Sequence, residues 1–228
     1  MCLILALTAF SSSTYAANGP NRLLLTTQAW APYQVHNDGD MFGIALDKVK
    51  CALGNMGQPY QITMTKWSNA QLKVHSGAHH GFFVATKTQE RDEYATLSTT
   101  IAQQKLNWYF GPGVQAKVDE LSKVKLKFSA KFGSSKWFWL KRHGFNVVKQ
   151  PRDAKVLLKL LKQREIDVAL EDELVFKSEL KNAELPNDYF RSTNVENKDM
   201  GVYFSNRFLQ KYTGFLTSFN KAVIQCEG

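Results

Sequence analysis

The sequence predicts an α/β protein with two similar lobes, each an open sheet flanked by helices. Segments of strand and helix character alternate along the chain, an order typical of βαβ units on a mostly parallel sheet. The run Gly111-Pro112-Gly113 breaks this alternation once and divides the chain into two halves that look alike. Folds of this kind bind ligands outside the carboxyl ends of their strands. We therefore expect a ligand cleft between the lobes.

Hydrophobic patterning gives the elements of the first half in order. A short apolar run at residues 23–27 predicts a strand, and Pro32 in the aromatic segment behind it ends any regular element. Helical spacing over residues 42–53 ends at Gly54 and Gly57. The remaining patterns predict a strand at 60–65, a helix at 67–76, a buried strand from Gly81, and a long extended segment at 97–110.

The second half repeats the alternation of strands and helices. Capping residues predict helices at the run Gly133-Ser134-Ser135, at Asp153 and at the acidic run Glu171-Asp172-Glu173. Apolar patterning predicts strands at 124–128, 145–148 and 166–170, extended segments at 189–195 and 201–205, and a closing helix at 208–224.

The stretch at residues 81–91 is the strongest candidate for a binding site. Its apolar strand ends at a helix start that either Thr86 with Gln89, or Thr88 alone, is suited to cap. A cation such as Arg91 in the first turn of a helix is disfavoured by the helix dipole. Its presence there therefore suggests a role other than stabilising the helix. Backbone N–H groups, two hydroxyls and a guanidinium together suit a carboxylate ligand. The alternative is that Arg91 pairs with an acid on the surface.

The first sixteen residues predict a secretory signal peptide. An apolar segment at residues 3–10 is followed by serines and by small residues suited to cleavage after Ala16. The segment lacks the usual positive start, and a buried first element is the alternative. Export predicts a periplasmic protein.

Two cysteines, Cys51 and Cys226, remain when the signal peptide is removed. An even count in an oxidising compartment predicts that they form a disulfide. Closing so long a loop stabilises a fold by on the order of 4 kcal/mol in the chain-entropy model. Two free buried thiols are the alternative.

The net charge of +9 is concentrated in the second half, where residues 111–195 hold 17 Lys and Arg against 11 Asp and Glu. Such a bias attracts anionic surfaces, which for an exported protein are lipids and cell-wall polymers rather than nucleic acid. A solvated basic face is the simpler interpretation, and we expect no nucleic-acid partner.

Several motifs together resemble the bacterial extracellular solute-binding proteins of family 3, the polar amino-acid receptors of ABC transporters. They are the run Trp30-Ala31-Pro32-Tyr33, Gly43 at a helix start, Thr86-x-Thr88-x-x-Arg91, and the segment 166–172. The resemblance covers nearly the whole mature chain in the right order. It implies the type 2 periplasmic-binding-protein fold, with an open mixed sheet in each lobe, no cofactor, and a monomer.

The resemblance also implies roles for site residues. In that family the arginine matching Arg91 binds the α-carboxylate of the ligand, helped by the hydroxyl and backbone at the position of Thr86. The acid matching Asp172 binds the α-ammonium, and the aromatic matching Trp30 covers the ligand side chain. The structural alternatives are that Asp172 only caps a helix and that Trp30 belongs to the core.

Two further positions match the pocket of the family. Trp67 falls where a second pocket aromatic often occurs, with core packing as its alternative. Ser134 belongs to the helix start in lobe 2 that touches the carboxylate.

Other positions depart from the family pattern. The run Gly77-Ala78-His79-His80 replaces the usual Gly-x-x-Asp, and Val84 falls at or near a pocket serine. His75 and His79 have the i, i+4 spacing of metal ligands, but Gly77 disfavours a helix between them and no third ligand is evident. We expect no metal site there.

From the residues and the resemblance together we expect a periplasmic receptor, not an enzyme. Lobe 1 would comprise residues 17–110 and 196–228, and lobe 2 residues 111–195. A small zwitterion would be trapped by hinge closure for uptake through an ABC permease. The alternatives are a dehydratase-like enzyme on the same fold, or an orphan sensor or interaction module whose pocket takes a cell-wall fragment or a protein partner.

Overall fold

The computed structural model describes residues 19–226, and the predicted signal peptide lies outside them. The strands are β1 (Leu23–Thr27), β2 (Val35–Asn37), β3 (Asp40–Phe42), β4 (Tyr60–Met64), β5 (Gly81–Thr86), β6 (Ala95–Leu97), β7 (Ala102–Phe110), β8 (Phe128–Ser129), β9 (Val168–Asp172) and β10 (Arg191–Ser205). The helices are α1 (Ile44–Asn55), α2 (Trp67–His75), α3 (Gln89–Asp92), α4 (Glu120–Lys125), α5 (Ser135–Arg142), α6 (Ala154–Lys162), α7 (Glu173–Asn182), α8 (Asn206–Lys211) and α9 (Phe215–Ile224).

One mixed sheet runs through both halves of the molecule. Its order is β4-β1-β5-β10-β7-β9-β8, with β6 added beside β10. At one end β1 pairs in parallel with β4 and β5, and at the other β8 pairs in parallel with β9. The antiparallel strands β7 and β10 join the two ends. The α/β fold class is confirmed.

Hydrophobic side chains pack around both ends of the β7–β10 ribbon. We call the part around β1, β4 and β5 lobe 1, and the part around β8 and β9 lobe 2. The lobe 1 core includes Leu25 and Phe204, whereas Trp108 and Phe128 belong to a lobe 2 core. Val175 of α7 belongs to the same buried cluster as lobe 1 residues, so the lobes are in contact.

A disulfide joins Cys51 of α1 to Cys226, directly behind α9. The predicted pairing is therefore confirmed, and it closes a loop of 175 residues in sequence. Both helices pack on the lobe 1 side of the molecule, where Val49, Leu53 and Phe219 belong to one buried cluster.

Several segments differ from the sequence prediction. The strand expected at 145–148 is only an isolated bridge between Val147 and Phe128. The extended segment expected at 97–110 is divided into β6 and β7. The alternating run at 124–128 was expected to be a strand, but Asp119 and Ser122 form a capping box that starts helix α4, and only β8 is extended. The closing helix is divided into α8 and α9, because Gly214 takes a left-handed conformation with φ of 85°. The segments at 189–195 and 201–205 are one continuous strand, β10, because β7 pairs with its first part and β5 with its last.

Candidate functional site

Arg91 lies at the carboxyl end of the buried strand β5, in the short helix α3. Thr88 caps this helix by accepting a hydrogen bond from the Arg91 backbone N–H. The guanidinium donates from Nε to Gln71 Oε1 at 2.9 Å and from Nη1 to the Thr86 carbonyl at 2.7 Å. It also lies over the ring of Trp67, 5.4 Å from the centroid. Arg91, Thr86 and Trp67 thus meet at one place on lobe 1.

Within residues 19–226, no carboxylate lies within 4 Å of the Arg91 guanidinium, although the residue is only 8% exposed. The neighbouring Asp92 carboxylate instead accepts a hydrogen bond from the Tyr203 hydroxyl at 2.7 Å. Burial lowers the pKa of Arg91, and the nearby Tyr203, Tyr94 and Glu90 raise it in opposition. Arg91 is therefore not part of a surface ion pair, which was the alternative considered from the sequence.

The strand before Arg91 carries a bulge. Val84 is left out of the ladder between β5 and β10, where the register shifts between Gly201 and Val202. Val84 has φ of 62°, a conformation that is costly for a β-branched residue. A bulge changes the direction of the side chains that follow it. Here the residues that follow are Thr86 and the helix that carries Arg91.

Asp172 ends strand β9 and is fully buried. Its Oδ1 accepts from the backbone N–H of Val175, which caps α7. Its Oδ2 accepts from the Tyr33 hydroxyl at 2.9 Å and from the Lys105 backbone N–H at 3.2 Å. Burial is the main cause that raises the pKa of this carboxyl. Asp172 therefore does cap a helix, and its role with a ligand stays a prediction.

Trp30 lies beside Tyr33, with their ring centroids 4.9 Å apart. A lobe 2 cation covers it: the Lys136 ammonium stands 5.3 Å from the centre of the Trp30 ring. The same ammonium is 2.6 Å from Glu171 Oε1, and both charged side chains are buried, with 6% and 1% exposed. This buried ion pair lies next to Asp172, whose backbone N–H also donates to Glu171 Oε1 at 2.8 Å.

Ser134 caps helix α5, the helix that carries Lys136. Its Oγ accepts from the Trp137 backbone N–H at 3.2 Å and donates to the Lys131 carbonyl at 2.7 Å. Lys131 itself is half-buried, and burial lowers the pKa of its ammonium while the nearby Glu171 raises it. The expected cap is present, and contact of Ser134 with a ligand stays a prediction.

Five of the six predicted site residues therefore fall into two groups, and the sixth, Ser134, caps the helix that carries Lys136. On lobe 1, Arg91 contacts both Thr86 and Trp67. Trp30 and Asp172 are linked through Tyr33, which connects the two lobes. Sequence reasoning missed four residues that complete these groups. They are Gln71, Tyr33, Lys136 and Glu171.

The signals for the missed residues were partial. Glu171 stood in the acidic run at the end of a predicted strand, and Tyr33 stood in the aromatic motif. Nothing local distinguishes Lys136 from the other lysines of lobe 2. Gln34 is another buried residue near Trp30: its amide donates to Thr27, and its Oε1 has no partner within residues 19–226.

The two histidines considered as metal ligands, His75 and His79, have different surroundings. His75 packs edge-on against Tyr94, whereas His79 Nδ1 is buried without a hydrogen-bond partner among the described residues. Over residues 19–226, no group of three or more His, Cys, Asp or Glu is arranged to hold a metal ion. No helix in the same range is long and apolar enough to cross a membrane.

No family model matches the chain, and no curated protein matches its sequence. Solved structures do match. One is the arginine-, lysine-, histidine-binding protein ArtJ from Geobacillus stearothermophilus, with 16% identity, a TM-score of 0.71, and coverage of 90% of this chain and 88% of that one. An ancestral arginine-binding protein bound to arginine matches with 17% identity, a TM-score of 0.71, and coverage of 90% and 92%.

A third similar structure is a histidine kinase sensor domain with similarity to periplasmic binding proteins. It has 12% identity, a TM-score of 0.75, and coverage of 90% of this chain and 89% of the sensor. At such identities the similarity establishes the fold. The chain has the two-lobed α/β fold of the periplasmic binding proteins.

Proposed function

We propose that this protein is a periplasmic receptor that closes its two lobes around a small carboxylate-bearing ligand, an amino acid or a close analogue, without chemistry on it. The observation that carries the proposal is Arg91: a buried guanidinium at the carboxyl end of a strand, without a carboxylate partner among the described residues. Burying an uncompensated charge is costly, so an anionic ligand would relieve it. The fork geometry of the guanidinium suits a carboxylate.

The other site residues have proposed places around this anchor. Thr86 and Trp67 would line the lobe 1 side of the ligand. Trp30, also of lobe 1, would cover the ligand side chain. Asp172 and Ser134 would face the ligand from lobe 2, with Asp172 toward an amine where the ligand carries one. The predicted lobes, residues 17–110 with 196–228 and residues 111–195, would move about the β7–β10 ribbon, because that is where the chain passes between them.

We further propose that the receptor is an exported monomer that delivers its ligand to an ABC permease. The similarity to solute-binding proteins such as ArtJ supports this use of the fold. A second candidate, a sensor domain, is favoured by the similarity to the histidine kinase sensor, which has a TM-score of 0.75. In both cases the ligand binds between the lobes.

Thermal melting of the chain from residue 17 onward, against amino acids, organic acids and muropeptides, tests the proposal. A ligand at 100 times its Kd stabilises a protein by about 2.7 kcal/mol. For a chain of this size that raises the Tm by about 5 to 11 °C. A shift with muropeptides alone would favour the sensor or interaction module. Loss of the ligand during incubation would reveal an enzyme.

Substitution of the anchor then tests the site. Arg91→Ala should weaken binding of the ligand found in the panel by about 2 kcal/mol or more, because it removes one partner of a desolvated charge pair. Arg91→Lys keeps the charge but loses the fork, and should bind with intermediate affinity. Isothermal titration measures the Kd, with exposed Arg142→Ala as the matched control. Unchanged affinity in Arg91→Ala would remove this residue from the site.

A further inference from the structure

The Lys136–Glu171 pair is an unusual feature of lobe 2. Most lysines of this lobe are exposed, yet Lys136 is 6% exposed and its ammonium is 2.6 Å from a carboxylate that is 1% exposed. Desolvating two charges is expensive, and such a pair is often no more stable than apolar residues of the same volume. The pair also contacts lobe 1, since the Lys136 ammonium lies over the ring of Trp30.

Both carboxylates at the end of β9 already have donors from the chain. Glu171 Oε1 accepts from the Lys136 ammonium and from the Asp172 backbone N–H. Asp172 accepts from the backbone N–H groups of Val175 and Lys105 and from the Tyr33 hydroxyl. An incoming ammonium group would have to compete with these donors for the two carboxylates. It would also approach a fixed positive charge.

We propose that Lys136 determines ligand specificity: its tethered ammonium takes the place on Glu171 and Trp30 that the amine of a zwitterion would need. The receptor then selects small carboxylates without an amine, such as 2-oxo or 2-hydroxy acids, over the matching amino acids. This inference rests on the proposed receptor function and narrows its ligand class. Arg91 still anchors the carboxylate.

The charge distribution supports the same ligand class. Arg91 lacks a carboxylate partner among the described residues, and the half-buried Lys131 adds a second cation close to the Lys136–Glu171 pair. A carboxylate is attracted to the Arg91 and Lys131 cations, whereas a free ammonium is repelled by them. The aromatic face of Trp30 is already covered by a cation as well.

Matched ligand pairs give the first test. Each amino acid is compared with the 2-oxo acid and the 2-hydroxy acid of the same side chain by isothermal titration against the wild-type chain. We expect the acids without an amine to bind at least about tenfold more tightly. Tighter binding of the amino acids would overturn the role of Lys136 while leaving the receptor function intact. Absence of binding by every small carboxylate would instead count against the receptor function.

Chemical rescue gives a second test that needs no knowledge of the ligand. Lys136→Ala removes a propylammonium group and leaves Glu171 without its cation. Added n-propylammonium in the millimolar range should raise the Tm of Lys136→Ala by several degrees, and propionate should not. Lys149→Ala, which breaks the exposed pair with Glu165, is the control and should show no such rescue. Absence of rescue would show that this place does not accept an amine.

The ligand preference of Lys136→Ala gives a third test, which combines the first two. If Lys136 excludes amines, Lys136→Ala should bind the amino acid relatively better, and the preference for the 2-oxo acid should fall by at least about tenfold. A merely structural ion pair would change stability but leave this ratio as it is in the wild type. If Lys136→Ala folds only with propylammonium, the longer Lys136→Met is used to measure the ratio, and an unchanged ratio there overturns the proposal.

Discussion

The two lobes each bury a cation, and the two cations have different partners. Arg91 in lobe 1 is held by neutral acceptors, Gln71 and the Thr86 carbonyl, and by the ring of Trp67. Lys136 in lobe 2 has a carboxylate of its own, Glu171, at 2.6 Å. One charge is compensated by the chain. The other is oriented by the chain and left without a counter-charge among the described residues.

We propose that this difference separates a residue that binds the ligand from one that selects it. Neutral hydrogen bonds fix where the Arg91 fork points but do not neutralise it, which keeps its attraction for an anion. The Glu171 carboxylate neutralises Lys136 and weakens the attraction of Lys136 for an anionic ligand. We infer that Arg91 supplies affinity, whereas Lys136 acts by excluding a group from the place it fills.

The largest expected effect comes from removing the partner of the compensated cation. Glu171→Met leaves Lys136 buried without a counter-charge and should lower the free energy of unfolding by about 3 to 5 kcal/mol. Arg91→Met, measured without ligand, should cost less than about 2 kcal/mol, since the lost hydrogen bonds are offset by removal of an uncompensated charge. Urea denaturation of both variants measures the difference.

The control for this comparison is the exposed pair of Lys149 and Glu165 in the same lobe. Glu165→Met should change the free energy of unfolding by less than about 1 kcal/mol, because solvent screens such a pair. If Arg91→Met proved as destabilising as Glu171→Met, Arg91 would be a structural residue, and the contrast between the two cations would fail.

The sequence predicted those parts of the site that depend on local chemistry. Thr88, Ser134 and Asp172 were expected at helix starts, and each caps a helix, because a short side chain and the N–H groups of the next turn suffice. The end of β5 at Thr86 also followed from the abrupt loss of apolar residues.

Long-range contacts could not be predicted in this way. Lys136 and Glu171 are 35 positions apart in the sequence, and only the fold, which places α5 beside β8 and β8 beside β9, brings their charges together. The same holds for Tyr33 and Asp172, which come from different lobes. The strand expected at 124–128 illustrates a local conflict, since its alternation suited a strand while the Asp119 capping box favoured the helix.

The next prediction tests whether loss of the disulfide destabilises one lobe more than the other. The double variant Cys51→Ser/Cys226→Ser should lower the free energy of unfolding by about 2 to 5 kcal/mol, because the disulfide closes a loop of 175 residues. The bridge joins α1 to the segment behind α9, so we expect the loss of protection mainly in lobe 1. Hydrogen exchange followed by mass spectrometry measures this by peptide.

Peptides from α6 and α7 in lobe 2 serve as the internal control. They should keep most of their protection, because most of their buried side chains, among them Leu157, Leu161 and Phe176, belong to a separate core. Equal loss of protection in both lobes would mean that the molecule opens as one cooperative unit. The regions around Arg91 and Lys136 would then have the same free energy of opening.

The smallest expected effect concerns two aspartates that cap helices in different surroundings. Asp172 is buried, and burial raises the pKa of its carboxyl. Its contribution to stability is therefore complete below the unfolded pKa of 3.8 and is lost as the pH rises through the folded pKa. Asp119 caps α4 in solvent, and the hydrogen bond from Ser122 lowers its pKa. Its contribution is present above the unfolded pKa and is lost as the pH falls through the folded one.

Urea denaturation from acid to neutral pH, with wild type, Asp172→Asn and Asp119→Asn, measures the two contributions by difference. The stability advantage of wild type over Asp172→Asn should shrink as the pH rises, and the advantage over Asp119→Asn should grow. Other carboxyl groups are common to each pair of proteins and cancel. Opposite slopes would show that burial dominates the electrostatics of Asp172. Parallel slopes would show that its three hydrogen-bond donors outweigh burial, and Asp172 would then be the better charged acceptor for a ligand amine.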